Sequence, residues 1–343
     1  MTELVATTPG LCPLPDWAKA DLADLKGHQK HDLVSGDEGE EITAVYDDVR
    51  EELVDLQQSA GLDRVVEGQA RWDDMLAHPL AVHDEVETRG IVRYYDNNNF
   101  YRNPVVKGEL DADGDVAAEL EAAAPLTDDR QAVLPGPYSL ADLATDEHYG
   151  DDDEFLGAVA DFLAGEAGAF PDVETLFLLE PSLVTSPPDE DADADGLPGV
   201  GPERASEAVD AVAGAVDADV VIHGYWGVFE ERTHAFLLDT DADALGYDLV
   251  SDHEGAAYLV QEYGTNDDLA LALVDGQNTK LESAETVAER VEWFQEQTPV
   301  SGYETIYATP NTELFYLPTN RFEEKLSVLA EGARLAETQE VKA

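Results

Sequence analysis

Short apolar runs alternate with stretches of helical spacing along most of this chain. Eight runs read as strands: Leu4–Thr8, Leu62–Val66, Gln131–Leu134, Thr175–Leu179, Val220–His223, Tyr247–Ser251, Leu269–Leu273 and Glu304–Ala308. They are short and nearly continuous in apolar residues, the pattern of strands buried on both faces. Helical patterns separate most of them. Ile42, Val45, Val49, Leu53 and Leu56 share one face before Gly61, a C-terminal cap, and Ala284, Val287, Ala288, Val291 and Phe294 share another. Eight strand-then-helix units predict an α/β fold, a closed (β/α)8 TIM barrel spanning 1–343 as one domain. An open doubly wound sheet is the alternative. It would favour a glycine-rich phosphate loop after the first strand, and Thr7-Thr8-Pro9-Gly10-Leu11-Cys12 is not one.

Two stretches interrupt the alternation. Ile91–Lys107 has two extended runs around Asp96-Asn97-Asn98-Asn99 and reads as an inserted β-hairpin, dense in tyrosine and arginine. It is either a lid or a packed surface hairpin. Pro187–Gly201 is an acidic loop in which Asp191, Asp193, Asp195 and Gly196 imitate the start of a calcium loop. Where that loop needs a bidentate Glu the chain has Pro202, so the loop reads as solvated.

Charge changes the picture more than composition does. Apolar residues make up 43% of the 343, enough for a substantial core, but 76 acidic residues face 19 basic ones, a net charge of −57. Such a chain repels nucleic acid and anionic membranes, so neither is expected as a partner. Self-repulsion of this size calls for screening, and the acidity reads as adaptation to a salt-rich cytoplasm. No run is long enough to span a membrane, and the acidic N-terminus does not read as a signal peptide. Cys12 is the lone cysteine, in keeping with a reducing cytosol and excluding any multi-cysteine metal site.

The ends of the runs carry a series of motifs. They are Thr7-Thr8-Pro9-Gly10-Leu11-Cys12-Pro13, Glu67-Gly68-Gln69-Ala70-Arg71, Leu134-Pro135-Gly136-Pro137-Tyr138-Ser139-Leu140 and Leu178-Leu179-Glu180-Pro181-Ser182-Leu183. Later come Leu271–Asp275 with Leu281-Glu282-Ser283, and Thr309-Pro310-Asn311-Thr312-Glu313-Leu314. In this order they resemble the landmarks of the cobalamin-independent methionine synthase family, whose barrels are related to those of uroporphyrinogen decarboxylase. The resemblance implies homocysteine S-methyltransferase chemistry in methionine biosynthesis, with homocysteine or a methyl donor as small-molecule ligand. Arg71, Glu180 and Asp275 are the retained substrate-binding candidates: Glu180 for an amino group, Arg71 for a carboxylate. The competing reading of these residues is a set of charge pairs closing the mouth.

The departures concern zinc. The resemblance implies a His-x-Cys after the fifth strand, a Glu after the sixth and a Cys after the eighth. Here those positions hold His223-Gly224-Tyr225, then His253 or Glu254, then Thr312. Zinc turns the homocysteine thiol into the attacking thiolate, and a phenol and a hydroxyl in place of two thiolates weaken its binding greatly. A residual set of His223, His253 and Glu254 is the fallback for a metal. The substrate side departs too, with Leu11, Gln69 and Leu179 at the family's Ser, Glu and Asp. The pattern fits a diverged methyltransferase or a zinc-poor partner of a zinc-bearing homologue, like the metal-free barrel of the family's two-barrel members. Other readings are a non-catalytic small-molecule binding or scaffold barrel, and a cofactor-free decarboxylase-like enzyme, for which no acid/base pair stands at convincing spacing.

Overall fold

The structure, a computed structural model, describes residues 2–22, 38–95, 100–191, 196–298 and 302–340. Its strands are β1 (Glu3–Ala6), β2 (Val86–Arg93), β3 (Phe100–Val106), β4 (Gln131–Pro135), β5 (Thr145–Asp146), β6 (Thr175–Leu179), β7 (Asp219–His223), β8 (Ala244–Asp248), β9 (Asp268–Val274) and β10 (Thr305–Pro310). Seven of them make one parallel sheet in the order β1, β10, β9, β8, β7, β6, β4. Every residue of β4, β6 and β8 is buried, as expected of strands covered on both faces. Among the covering helices, α1 (Glu40–Ala60) turns Ile42, Val49 and Leu53 inward, leaving Val45 and Leu56 half-buried. Gly61, at φ 88°, ends it by donating to the Gln57 and Gln58 carbonyls. Four more helices matter below: α2 (Pro137–Asp142), α3 (His253–Tyr263), α4 (Ala284–Gln297) and α5 (Thr319–Glu340).

The closed eight-stranded TIM barrel expected from the sequence is not what forms. The sheet is an incompletely closed half-barrel of seven parallel strands. Leu62–Val66, expected as the second strand, contributes one isolated bridge, Val65 to Arg130. Side chains supplement its few backbone bonds. The Gln57 amide donates to the Val66 carbonyl at 2.8 Å and accepts from the Val66 N–H at 3.1 Å, and the Asp63 carboxylate accepts from the Ala6 N–H at 2.9 Å. The apolar side chains are buried as the pattern requires, and the backbone still bonds both neighbours, Asp63 N–H to the Ala6 carbonyl at 2.9 Å and Gln131 N–H to the Val65 carbonyl at 2.9 Å, but too irregularly for a strand. A second correction concerns β8, which lies upstream of the expected Tyr247–Ser251. Asp248 ends it by accepting the Val250 and Ser251 N–H groups at 3.0 and 2.9 Å, turning the chain three residues early.

The β2–β3 hairpin is antiparallel, begins upstream of residue 91, and has a register irregularity between Thr88 and Ile91. Its Asn97–Asn99 turn lies outside the described residues, as do Asp193 and Asp195 of the acidic loop. No helix among the described residues is long and apolar enough to cross a membrane.

Candidate functional site

The C-terminal ends of the parallel strands converge on His223, the last residue of β7. Its ring is fully buried, edge-on to Phe177 with centroids 6.0 Å apart and tilted against Tyr225 at 5.8 Å. Gly246 of β8 packs so close that a Cβ there would sit 2.3 Å from Nδ1, so a larger residue would displace the imidazole. Neither ring nitrogen has a hydrogen-bond partner. Burial lowers the pKa to about 4, only partly opposed by the Asp248 carboxylate and the Asn311 and Pro310 backbone. His223 is therefore a neutral imidazole at physiological pH.

Asp248 organises the strand ends around it. Its carboxylate accepts from the Trp226 N–H at 2.9 Å, the Ser251 hydroxyl at 2.6 Å and the Asn311 amide at 3.3 Å. Asn311 in turn accepts from the Gly276 N–H at 2.9 Å, which ties β9 to β10 at this end.

Tyr225 and Thr312, the residues at the thiolate positions, are both buried. The Tyr225 hydroxyl donates to Glu313 Oε1 at 3.3 Å. Burial, reinforced by Glu313, raises the phenol well above its ordinary pKa. Burial also raises Glu313 to about 8, so phenol and carboxyl are both neutral near pH 7. The second Glu313 oxygen, Oε2, has no partner. Thr312 donates to the Glu313 carbonyl at 3.3 Å.

The rest of the fallback metal set lies elsewhere. His253 and Glu254 are exposed in the first turn of α3, and the His253 ring meets Trp293 of α4 at 4.9 Å. The early turn at Asp248 explains this. With β8 ending three residues sooner, the residue facing His223 is Asp248, not His253 or Glu254. Among the described residues no three His, Cys, Asp or Glu side chains are grouped to hold a metal. The donor set around His223 is a neutral phenol, a hydroxyl and a carboxylate already accepting from four neighbouring residues, which does not fit tetrahedral zinc.

Of the retained substrate candidates, Glu180 sits directly after β6 and accepts from the Tyr138 and Ser139 N–H groups at 3.0 and 2.8 Å and the Ser139 hydroxyl at 2.6 Å. It thus caps the N-terminus of α2, and burial against those bonds still raises it to about 7. Arg71 is almost buried in a charge cluster. It reaches Glu38 at 3.0 Å and Glu119 at 3.1 Å, and stacks over Tyr46 at 4.3 Å, while Arg50 holds Glu119 from the other side at 2.6 Å. Asp275 accepts from the Gln277 N–H at 2.9 Å in a turn whose own N–H is held by Glu282, itself paired with the buried Lys325 of α5 at 2.8 Å. The three do not converge on one another. Gln69, at the family's Glu position, is also occupied: its amide accepts from Leu11 N–H at 2.7 Å and donates to the Val133 carbonyl at 3.2 Å.

Sequence reading missed Asp248 and Glu313, while the hairpin it read as a lid or a packed surface hairpin brings aromatic side chains to this end. Tyr95 bonds Ser182 at 2.8 Å and packs on Trp226 at 5.1 Å, while Tyr94 donates to Asp74 at 2.7 Å. Among the described residues, Gln69, Tyr95 and Trp226 are the non-glycine residues with positive φ, at 50°, 38° and 72°, and all stand at this end of the sheet. Backbone strain of this kind concentrates where a site is being shaped. No periodicity announces it, although Trp226-Gly227 hints at a sharp turn.

The model for "Cobalamin-independent synthase, Catalytic domain" matches residues 24–334. The methionine synthase of Saccharolobus solfataricus is 22% identical over 342 residues, covering 97% of this chain and 94% of that one. That of Sulfolobus acidocaldarius is 20% identical over 337 residues. A B12-independent methionine synthase from a Shewanella species, solved with selenomethionine, superposes with a TM-score of 0.78 at 18% identity, over 99% of both chains. A putative relative from Listeria monocytogenes superposes with a TM-score of 0.67, also at 18% identity. With most of its length under one family model, the chain belongs to the cobalamin-independent synthase catalytic-domain family.

Proposed function

We propose that this chain works in methionine biosynthesis as a homocysteine S-methyltransferase-like protein without zinc, beside a zinc-bearing homologue. The observation that carries this reading is the Tyr225–Glu313 hydrogen bond, a neutral pair where the resemblance puts a thiolate. A thiol bound there without a metal is only a few per cent thiolate at pH 7. His223, neutral, supplies no cation to shift that balance. Glu180, Arg71 and Asp275 in this reading shape the mouth through their internal bonds rather than meeting substrate directly. We also take the acidic surface to be a salt adaptation and the compartment to be the cytoplasm.

The test measures methionine formed from homocysteine and a methyl donor in molar salt, with this chain, the homologue, and both. The chain alone should fall at least about a thousandfold below the homologue, since each 1.4 kcal/mol lost from the transition state is about tenfold. Mixing should raise turnover above the homologue alone. Zinc analysis of untagged protein should find well under one ion per chain. Chelator-resistant turnover by the chain alone would overturn the proposal.

A second reading, a small-molecule binding protein, is favoured by one specific feature. Both His223 nitrogens, Trp226 Nε1 and Glu313 Oε2 are buried without partners at one end of the sheet. Equal activity of the homologue with and without this chain, together with tight ligand binding by the chain, would select it.

A further inference from the structure

Seven large apolar side chains are exposed among the described residues, and three of them gather at one place. Ile91 of β2 is 68% exposed, Phe100 of β3 is 52% exposed, and Tyr316 at 44% lies with its hydroxyl against the Phe100 backbone. Apart from half-buried Val86, every residue of β2 is exposed, and the strand pairs only with β3, so its outer edge is uncovered. Between the hairpin and the 73–74 turn lies a crevice of about 210 Å³, lined by Ile91, Phe100, Tyr101, Arg102, Asp73 and Asp74. Contiguous exposed apolar surface of this sort marks an interface.

Charge identifies what fits it. Elsewhere a chain of net charge −57 repels another of its kind, but residues 86–107 hold four of the 19 basic residues (Arg89, Arg93, Arg102 and Lys107) against Glu87 and Asp96. At the crevice the two signs sit side by side. Arg102 and Asp73 are each at least half exposed and only loosely paired, at 3.8 Å. A patch with an apolar centre and one charge of each sign at its rim is complementary to itself under a two-fold axis, with Arg102 of one copy facing Asp73 of the other.

We propose that the hairpin face is a homodimer interface, in which Ile91, Phe100 and Tyr316 of two copies cover one another. High salt favours this contact, because it screens the repulsion of the remaining surface while leaving apolar burial intact. The inference is independent of methyl transfer.

Sedimentation of the full chain in molar potassium chloride tests it. The wild type should sediment as a dimer, and Ile91→Asp with Phe100→Asp as a monomer with an unchanged circular dichroism spectrum. Asp73→Arg, at an exposed position, checks the geometry even if the double variant misfolds. It should weaken the dimer more than about tenfold at the lowest salt that preserves the fold, and adding Arg102→Asp should restore it. A wild type that stays monomeric at high concentration overturns the proposal. So does a dimer indifferent to all these changes, or a complex that forms only when a different acidic protein is added.

Discussion

The two flanks of the strand-end mouth bury most of their polar groups differently. On the β1–β4 flank, Arg71, Arg50, Glu38 and Glu119 remain paired as charges, and the Gln69 and Gln57 amides tie neighbouring segments. On the β7–β10 flank, His223, Tyr225 and Glu313 are neutral, with burial moving each of their pKa values toward the uncharged form. A charge buried without a partner costs several kcal/mol, whereas a group that shifts its pKa avoids that cost. The charged flank keeps Arg71, which the family resemblance singles out, yet uses it as an internal tie. The neutral flank has replaced the thiols outright. Retained identity and retained role have come apart.

The largest effect expected concerns the background against which both flanks operate. Net charge of −57 on the chain is self-repulsive, and molar salt shortens the Debye length to about 3 Å. The thermal midpoint should rise by more than about 10 °C between dilute buffer and molar potassium chloride. A midpoint that does not move removes the salt-adaptation reading.

Next comes the charged flank. Arg71→Ala leaves Glu38 without its cation and Glu119 with Arg50 alone, and should cost about 3 kcal/mol by denaturant unfolding in fixed salt. A loss under about 0.5 kcal/mol, the size typical of an exposed pair, would mean that the contrast between the flanks is overstated.

The remaining effect is on the neutral flank and has the opposite sign. Glu313 in the fold has a pKa of about 8 against an ordinary value near 4.5, so the folded chain holds a proton that the unfolded chain releases as pH rises. The group's contribution is intact below the ordinary value and declines until pH passes about 8. Glu313→Gln, which does not titrate and still accepts from Tyr225, should therefore be more stable than wild type by about 4 kcal/mol at pH 8 and no different near pH 4. Parallel pH profiles for the two proteins would show that Glu313 is ionised in the fold.

Sequence periodicity located the strands wherever a short apolar run was also hydrogen-bonded as a strand, as at Thr175–Leu179. It failed at Leu62–Val66, because hydrophobic pattern reports burial of side chains and is silent on where N–H and C=O groups go. At β8, the placement three residues late carried the search for a metal ligand to His253 and Glu254, past the Asp248 turn. The family motifs pointed to the strand ends where Tyr225 and Thr312 are buried. Asp248 and Glu313 stayed hidden because a lone acidic residue among 76 carries no pattern of its own.

The break between β1 and β4 has a mechanical consequence. Around the rest of the sheet, neighbouring strands are laced by successive backbone bonds that must lengthen together before the circumference can grow. Across the 62–66 segment the hoop is closed by a few backbone bonds, from Asp63 and Arg64 to the Ala6 carbonyl and between Val65 and the 129–131 stretch, with side-chain clasps from Asp63 and Gln69. With fewer and less regular bonds than a paired strand, this seam is the most compliant joint of the hoop.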